Sequence, residues 1–114
     1  MDELYCKIFI DTAHSRSELF NKLQGFLNGA ASSFGYINTE WCEACLRNNS
    51  YYSEKEYCSY REDFVIWPYY LEIYNDDRSE PSAYIQNIKN LIAYLKNFCK
   101  GVAAACDFEN SLKL

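Results

Sequence analysis

The chain has 114 residues, a formal net charge of −5, eleven tyrosines and a single histidine. That length supports one domain, residues 1–114, with a core that needs no staples, and 49% apolar with 24% charged residues excludes disorder over the whole chain. The acidic balance opposes direct binding of nucleic acid and favours basic partners, while the tyrosines supply the rigid, amphipathic contact area that recognition surfaces use.

At the N-terminus, MDELYCKIFID has acidic residues, no basic start and no small-residue cleavage site, so no secretory signal is expected. Leu4 to Asp11 alternate, with Leu4, Cys6, Ile8 and Ile10 on one side and Tyr5, Lys7, Phe9 and Asp11 on the other, which predicts a half-buried strand. Ser15 and Glu18 have the spacing of a capping box. Leu19, Leu23, Phe26 and Leu27 then mark one face of a helix from about Arg16 to Asn28, where Asn28-Gly29 is the stop signal.

Ala31 to Asn49 reads as a second strand, with Cys42, Ala44 and Leu46 on one side and Trp41, Glu43, Cys45 and Arg47 on the other. The polar, tyrosine-rich NNSYYSEKEYCSYRED reads as a long loop or a partly paired hairpin tip. A third strand is expected from Phe64 to Tyr74, with a bulge at Pro68, because proline cannot donate to a ladder.

The clearest element is a second helix from Pro81 to Lys100. Tyr84, Ile88, Leu91, Leu95 and Phe98 form its stripe, Ile85, Ile92 and Cys99 widen it, and Gly101 ends it. A last strand is expected from Val102 to Glu109. The order βαββαβ predicts an α+β fold of ferredoxin-like type, a four-stranded antiparallel sheet with two helices on one face.

The other sheet face would then be open. Tyr5, Lys7, Phe9 and Asp11 fall on it, together with Trp41, Glu43, Cys45 and Arg47 as candidates from the second strand, Tyr70, Glu72 and Tyr74 of the third and Asp107 and Glu109 of the last. Aromatic rings interleaved with carboxylates suit a basic protein: the rings anchor and the acids steer. The structural alternative is that aromatics are good strand formers and that acids keep an open sheet soluble.

Motifs for chemistry are sparse. Six cysteines occur without a secretion signal, so reduced thiols are expected. The CEAC of Cys42 and Cys45 would point its sulfurs to opposite faces of a strand, and with His14 the only histidine no zinc set is completed. Asp107 and Glu109 have the spacing of an acid/base or cation-binding pair, against the simpler reading of a solvated acidic strand. No glycine-rich phosphate loop or nucleophile–base pair is present. The reading is therefore no catalytic residue, no metal and no cofactor.

The YYLEIY strand, the helix from Pro81 to Lys100 and the closing VAAACDFENSL resemble small bacterial proteins that act as immunity partners in polymorphic or contact-dependent toxin systems. The resemblance covers roughly the C-terminal half. It implies a small cytoplasmic protein that binds one toxin domain, many such toxins being nucleases with basic clefts, and neutralises it by covering its active site or a nearby surface.

The function expected is that of a non-enzymatic inhibitor. Its partner-binding residues would be Tyr70, Glu72, Tyr74, Asp107 and Glu109, with Tyr51, Tyr52 and Tyr57 of the tyrosine-rich loop as a second group. The alternatives are a small ligand-binding or enzymatic ferredoxin-like domain, dimeric across open sheets, and a homodimer that uses the same face on itself.

Overall fold

In the computed structural model, residues 4–112 are described, and they form an α+β fold around one antiparallel sheet. The elements are β1 (Cys6–Asp11), α1 (Arg16–Leu27), β2 (Ala30–Ala31), β3 (Tyr36–Asn38), β4 (Glu43–Asn48), α2 (Glu54–Tyr60), β5 (Tyr69–Tyr74), α3 (Pro81–Lys96) and β6 (Gly101–Ala105). Short 3-10 turns cover Ser33–Gly35, Phe64–Ile66 and Glu109–Leu112. The strands lie in the order β2-β3-β4-β5-β1-β6, with every neighbouring pair antiparallel. No described helix is long and apolar enough to cross a membrane.

The predicted α1 forms for the stated reason. Glu18 N–H donates to the Ser15 hydroxyl at 3.2 Å, and the Glu18 carboxylate accepts from Ser15 N–H at 2.8 Å, closing the capping box. Asn28 ends the helix with φ +54°, and its N–H donates to the Gln24 carbonyl. Leu19, Leu23 and Leu27 are buried, whereas Phe26 lies at the rim and stacks on Tyr94 with ring centroids 4.3 Å apart.

α1 and α3 cover one face of the sheet. Cys6, Ile8 and Ile10 of β1, Ala44 and Leu46 of β4, and Leu71 and Ile73 of β5 meet Leu19 and Leu23 of α1 and Tyr84, Ile88, Leu91 and Leu95 of α3. Each of these large side chains contributes about 1.5–3 kcal/mol by leaving water. The Tyr84 hydroxyl, fully buried, donates to the Ile73 carbonyl at 3.2 Å, so the one polar atom that α3 sends into the core is satisfied.

The sheet has six strands rather than four, and the single strand expected over Ala31 to Asn49 is three. Two local devices break it. Phe34 and Gly35 take positive φ (68° and 83°), which reverses the chain between β2 and β3. The Thr39 hydroxyl then accepts from Trp41 N–H at 3.1 Å and Cys42 N–H at 2.9 Å, which turns β3 into β4. Trp41 is consequently in that turn, packed edge-on to Tyr84 on the helix side, and not on the open face.

The third strand begins at Tyr69, not Phe64. Pro68 precedes the strand, so β5 sits between β4 and β1 without losing a ladder bond, and no bulge is needed. The second helix stops at Lys96 rather than Lys100, its last turn tightened by bonds from Asn97 N–H to the Tyr94 and Leu95 carbonyls. Residues 54–60, expected as loop or hairpin tip, are a third helix started by Ser53, whose hydroxyl accepts from Glu56 N–H at 3.2 Å.

Candidate protein-recognition surface

The sheet face away from α1 and α3 carries a contiguous polar-aromatic lattice. In register across it lie Ala105, Lys7, Glu72, Cys45 and Tyr36, and beside them Ala103, Phe9, Tyr70 and Arg47. Glu72 is the hub. It accepts from the Tyr5 hydroxyl at 2.8 Å through Oε2 and from Arg47 Nε at 2.8 Å through Oε1. Arg47 also donates to the Tyr36 hydroxyl at 3.3 Å. Burial, reinforced by the bond to the Glu72 carboxylate, pushes the Tyr5 hydroxyl well above the usual tyrosine range, and Glu72 likewise keeps Arg47 firmly protonated.

Lys7 sits over the Tyr70 ring at 4.1 Å and the Phe9 ring at 5.1 Å, and Tyr5 packs on Tyr74 at 5.0 Å. Of the residues expected to bind a partner here, Glu72 and Tyr70 are thus already engaged within the chain. Tyr74 is half-buried at the start of β4 and the end of β5, opposite Glu43.

Asp107 and Glu109 are not on a strand of this face. β6 ends at Ala105, and the chain curls into the Glu109–Leu112 turn, where the Glu109 carboxylate accepts from Cys106 N–H at 3.1 Å. Phe108 points to the helix side and meets Tyr84 edge-on at 5.9 Å, and Leu112 is buried. Packing Phe108 against the core and burying Leu112 pulls the segment off the sheet, which is why strand alternation fails there. Both acids are exposed, flanking a shallow depression with Tyr5, Ala105 and Cys106.

Tyr51, Tyr52 and Tyr57 lie at the other end of the sheet, in a strap that runs from Asn49 through α2 to Trp67. Tyr57, Phe64 and Trp67 tie it to the sheet, and Asn49 and the Trp67 indole N–H close it on itself. The Tyr57 hydroxyl donates to Asp11 Oδ2 at 3.0 Å. The buried Asn49 amide donates to the Val65 and Trp67 carbonyls at 2.8 and 2.7 Å. Phe64 packs on Phe9 at 5.2 Å, and the Trp67 indole N–H donates to the Arg61 carbonyl at 2.7 Å. Trp67 also covers Gly101, where a Cβ would collide with the indole ring.

α2 itself buries no residue. Tyr51 is 76% exposed and Tyr60 62%, and Tyr52, Phe64 and Val65 are partly exposed, at 39%, 37% and 43%. Single exposed rings are ordinary, but five large apolar side chains within fifteen residues are not. Among them stand four carboxylates, Glu54, Glu56, Glu62 and Asp63, against two cations, Lys55 and Arg61. Phe34, 84% exposed in a left-handed backbone conformation, belongs to a turn seated against the half of β4 from which the strap departs.

Composition therefore located Tyr51 and Tyr52 as exposed, while Tyr57 serves partly as a tether. Tyr60, Phe64, Val65 and Phe34 escaped sequence reasoning, Phe64 and Val65 because FVIW reads as strand core. The signal that reveals them is Asp63 beside them, whose carboxylate accepts from Val65 N–H at 3.3 Å and starts a turn where a strand was expected.

Cys42 and Cys45 fall on opposite faces, as their spacing implies. Cys42 is in the core, its thiol pushed up to about 11 by burial, and Cys45 lies beneath the Phe34 carbonyl, its thiol raised for the same reason. Among the described residues no group of three His, Cys, Asp or Glu side chains is arranged to hold a metal ion. Comparisons with protein-family models, curated proteins and solved structures find no match for this chain.

Proposed function

We propose that this protein is a non-enzymatic inhibitor, an immunity protein of bacterial type that binds and neutralises a cognate toxin domain in the cytoplasm, and that the toxin's contact surface is basic. One observation carries the reading: the strap exposes Tyr51, Tyr52, Tyr60, Phe64 and Val65 among Glu54, Glu56, Glu62 and Asp63, and its helix α2 buries no residue. A folded chain that displays rings and acids together on an exposed segment has the composition of a binding hot spot with a charged rim. Asp107 and Glu109, exposed at the far end of the sheet, are a second place where a basic partner would be met. A nuclease cleft, built to hold phosphates, offers the complementary charge.

On this reading the underlying scaffold is ferredoxin-like. β1, α1, β4, β5, α3 and β6 follow one another as βαββαβ, and the four strands lie in the order β6-β1-β5-β4, with β2 and β3 as an added hairpin.

The test is affinity capture of the tagged protein at low salt, followed by assay of the captured partner's activity. The expected result is one stoichiometric basic protein, released as salt rises, whose toxicity is suppressed by this chain. Replacing Tyr60 and Phe64 by alanine and reversing Glu62 and Asp63 should weaken that complex at least tenfold. Retention of full affinity in those variants would remove the strap, and a captured partner that is acidic or harmless would remove the reading.

A further inference from the structure

The two edges of the sheet are built differently. β2, at one edge, is two residues long, which leaves little to pair with. β6, at the other, is Gly101-Val-Ala-Ala-Ala105, and among the described residues no strand lies along its outer side. Sheet edges are normally guarded by charged side chains, proline, bulges or a covering element. β6 itself holds no charge, proline or bulge, and the Trp67 indole covers its first residue, Gly101. Its ladder to β1 runs without interruption from Lys7–Ala105 to Asp11–Gly101, and its side chains are too small to obstruct a neighbouring strand.

The charges flanking the strand are asymmetric. Lys100 precedes it, and Asp107 and Glu109 follow it, all three exposed. Among the described residues neither the Lys100 ammonium nor the Asp107 carboxylate takes part in an ion pair. A second β6 laid antiparallel about the middle of the strand brings Lys100 of each copy to the end of the strand from which Asp107 and Glu109 of the other emerge. A parallel neighbour would set like charges against each other. The edge is therefore complementary to itself in one orientation only, the orientation of a two-fold axis.

We propose that β6 is the interface of a homodimer in which two copies pair antiparallel, edge to edge, joining their sheets into one. The contact is short, so the association is concentration-dependent and held in register by the Lys100–Asp107/Glu109 pairs. This inference does not rest on the toxin reading: it is argued from the β6 edge and its flanking charges, and its test needs only the purified chain.

Sedimentation of the purified chain over a concentration series tests it, with hydrogen exchange of the β6 amides measured on the same samples. The expected result is a monomer–dimer equilibrium that weakens with salt, and slower exchange at Val102 to Ala105 as concentration rises. Lys100→Glu should abolish the dimer, the double change Asp107→Lys with Glu109→Lys should do the same, and all three together should restore it. Lys100 is exposed at the end of its turn, and circular dichroism confirms that each variant is folded. A chain that stays monomeric throughout overturns the proposal. So does a dimer indifferent to Lys100→Glu, which would use another surface, or capture of a different protein's strand on β6.

Discussion

The Tyr57 hydroxyl reaches across 46 residues of sequence to donate to Asp11 Oδ2 at 3.0 Å. Asp11 is only 5% exposed, so this bond both satisfies a buried carboxylate and moors α2 to the end of β1. Tyr57→Phe should cost about 1–3 kcal/mol, the range for leaving a buried acceptor without its partner. Because α2 buries nothing, the larger effect should be local: limited proteolysis should accelerate between residues 50 and 66 while the circular dichroism of the sheet is unchanged.

Trp67 and Gly101 make a second mooring that depends on the absence of a side chain. Gly101→Ala places a methyl group in the indole ring and should destabilise by about 1–3 kcal/mol. Denaturant unfolding of Gly101→Ala, Trp67→Leu and the double variant gives the check. The double variant should lose less than the sum of the singles, because the smaller side chain makes room for the methyl group.

Glu72→Ala removes the acceptor shared by Tyr5 and Arg47. With Arg47 nearly half exposed, the expected loss is modest, about 1–2 kcal/mol. A spectrophotometric titration should show Tyr5, and Tyr74 beside it, ionising at lower pH than in the parent chain, since the carboxylate adds to burial in holding both neutral.

Buried thiols give stability a defined alkaline limit. Burial pushes Cys42 and Cys99 from an ordinary 9.0 up to about 11, whereas the unfolded chain ionises its thiols near 9.0. Between those values the folded state holds more protons, so its stability is complete below pH 9 and falls as pH rises towards 11. Urea midpoints measured across that window should decline, and the slope should lessen in Cys42→Ala. Midpoints that stay constant through it would show that the two thiols ionise alike in the folded and unfolded chains.

Much of the scaffold was legible because local and global signals agreed. The Ser15–Glu18 box, the Leu19/Leu23/Leu27 stripe and the alternation of β1 each specify an element without outside help. The stripe of α3 did so through Lys96, beyond which the 3.6-residue pattern continued by chance into Cys99. Errors arose where a short-range event overrode a period. The Thr39 hydroxyl broke one long strand, Asp63 started a turn in an apolar run, and the packing of Phe108 and Leu112 against the core drew Asp107 and Glu109 off the sheet. The candidate surface was half legible: abundance of tyrosine pointed to recognition, but the pairings that occupy Tyr70 and Glu72 and leave Tyr60 exposed follow from the three-dimensional course of the strap.

The helix α2 buries no residue, and this separates two pressures that usually collide in a small protein. A substitution at Leu46 or Leu91 is judged by packing, whereas one at Tyr51, Glu54, Glu56 or Tyr60 is nearly free of any folding cost. Contact residues can therefore diverge rapidly under a constant architecture, so that lineages carrying the same sheet and helices would discriminate between partners by the chemistry of some ten exposed positions.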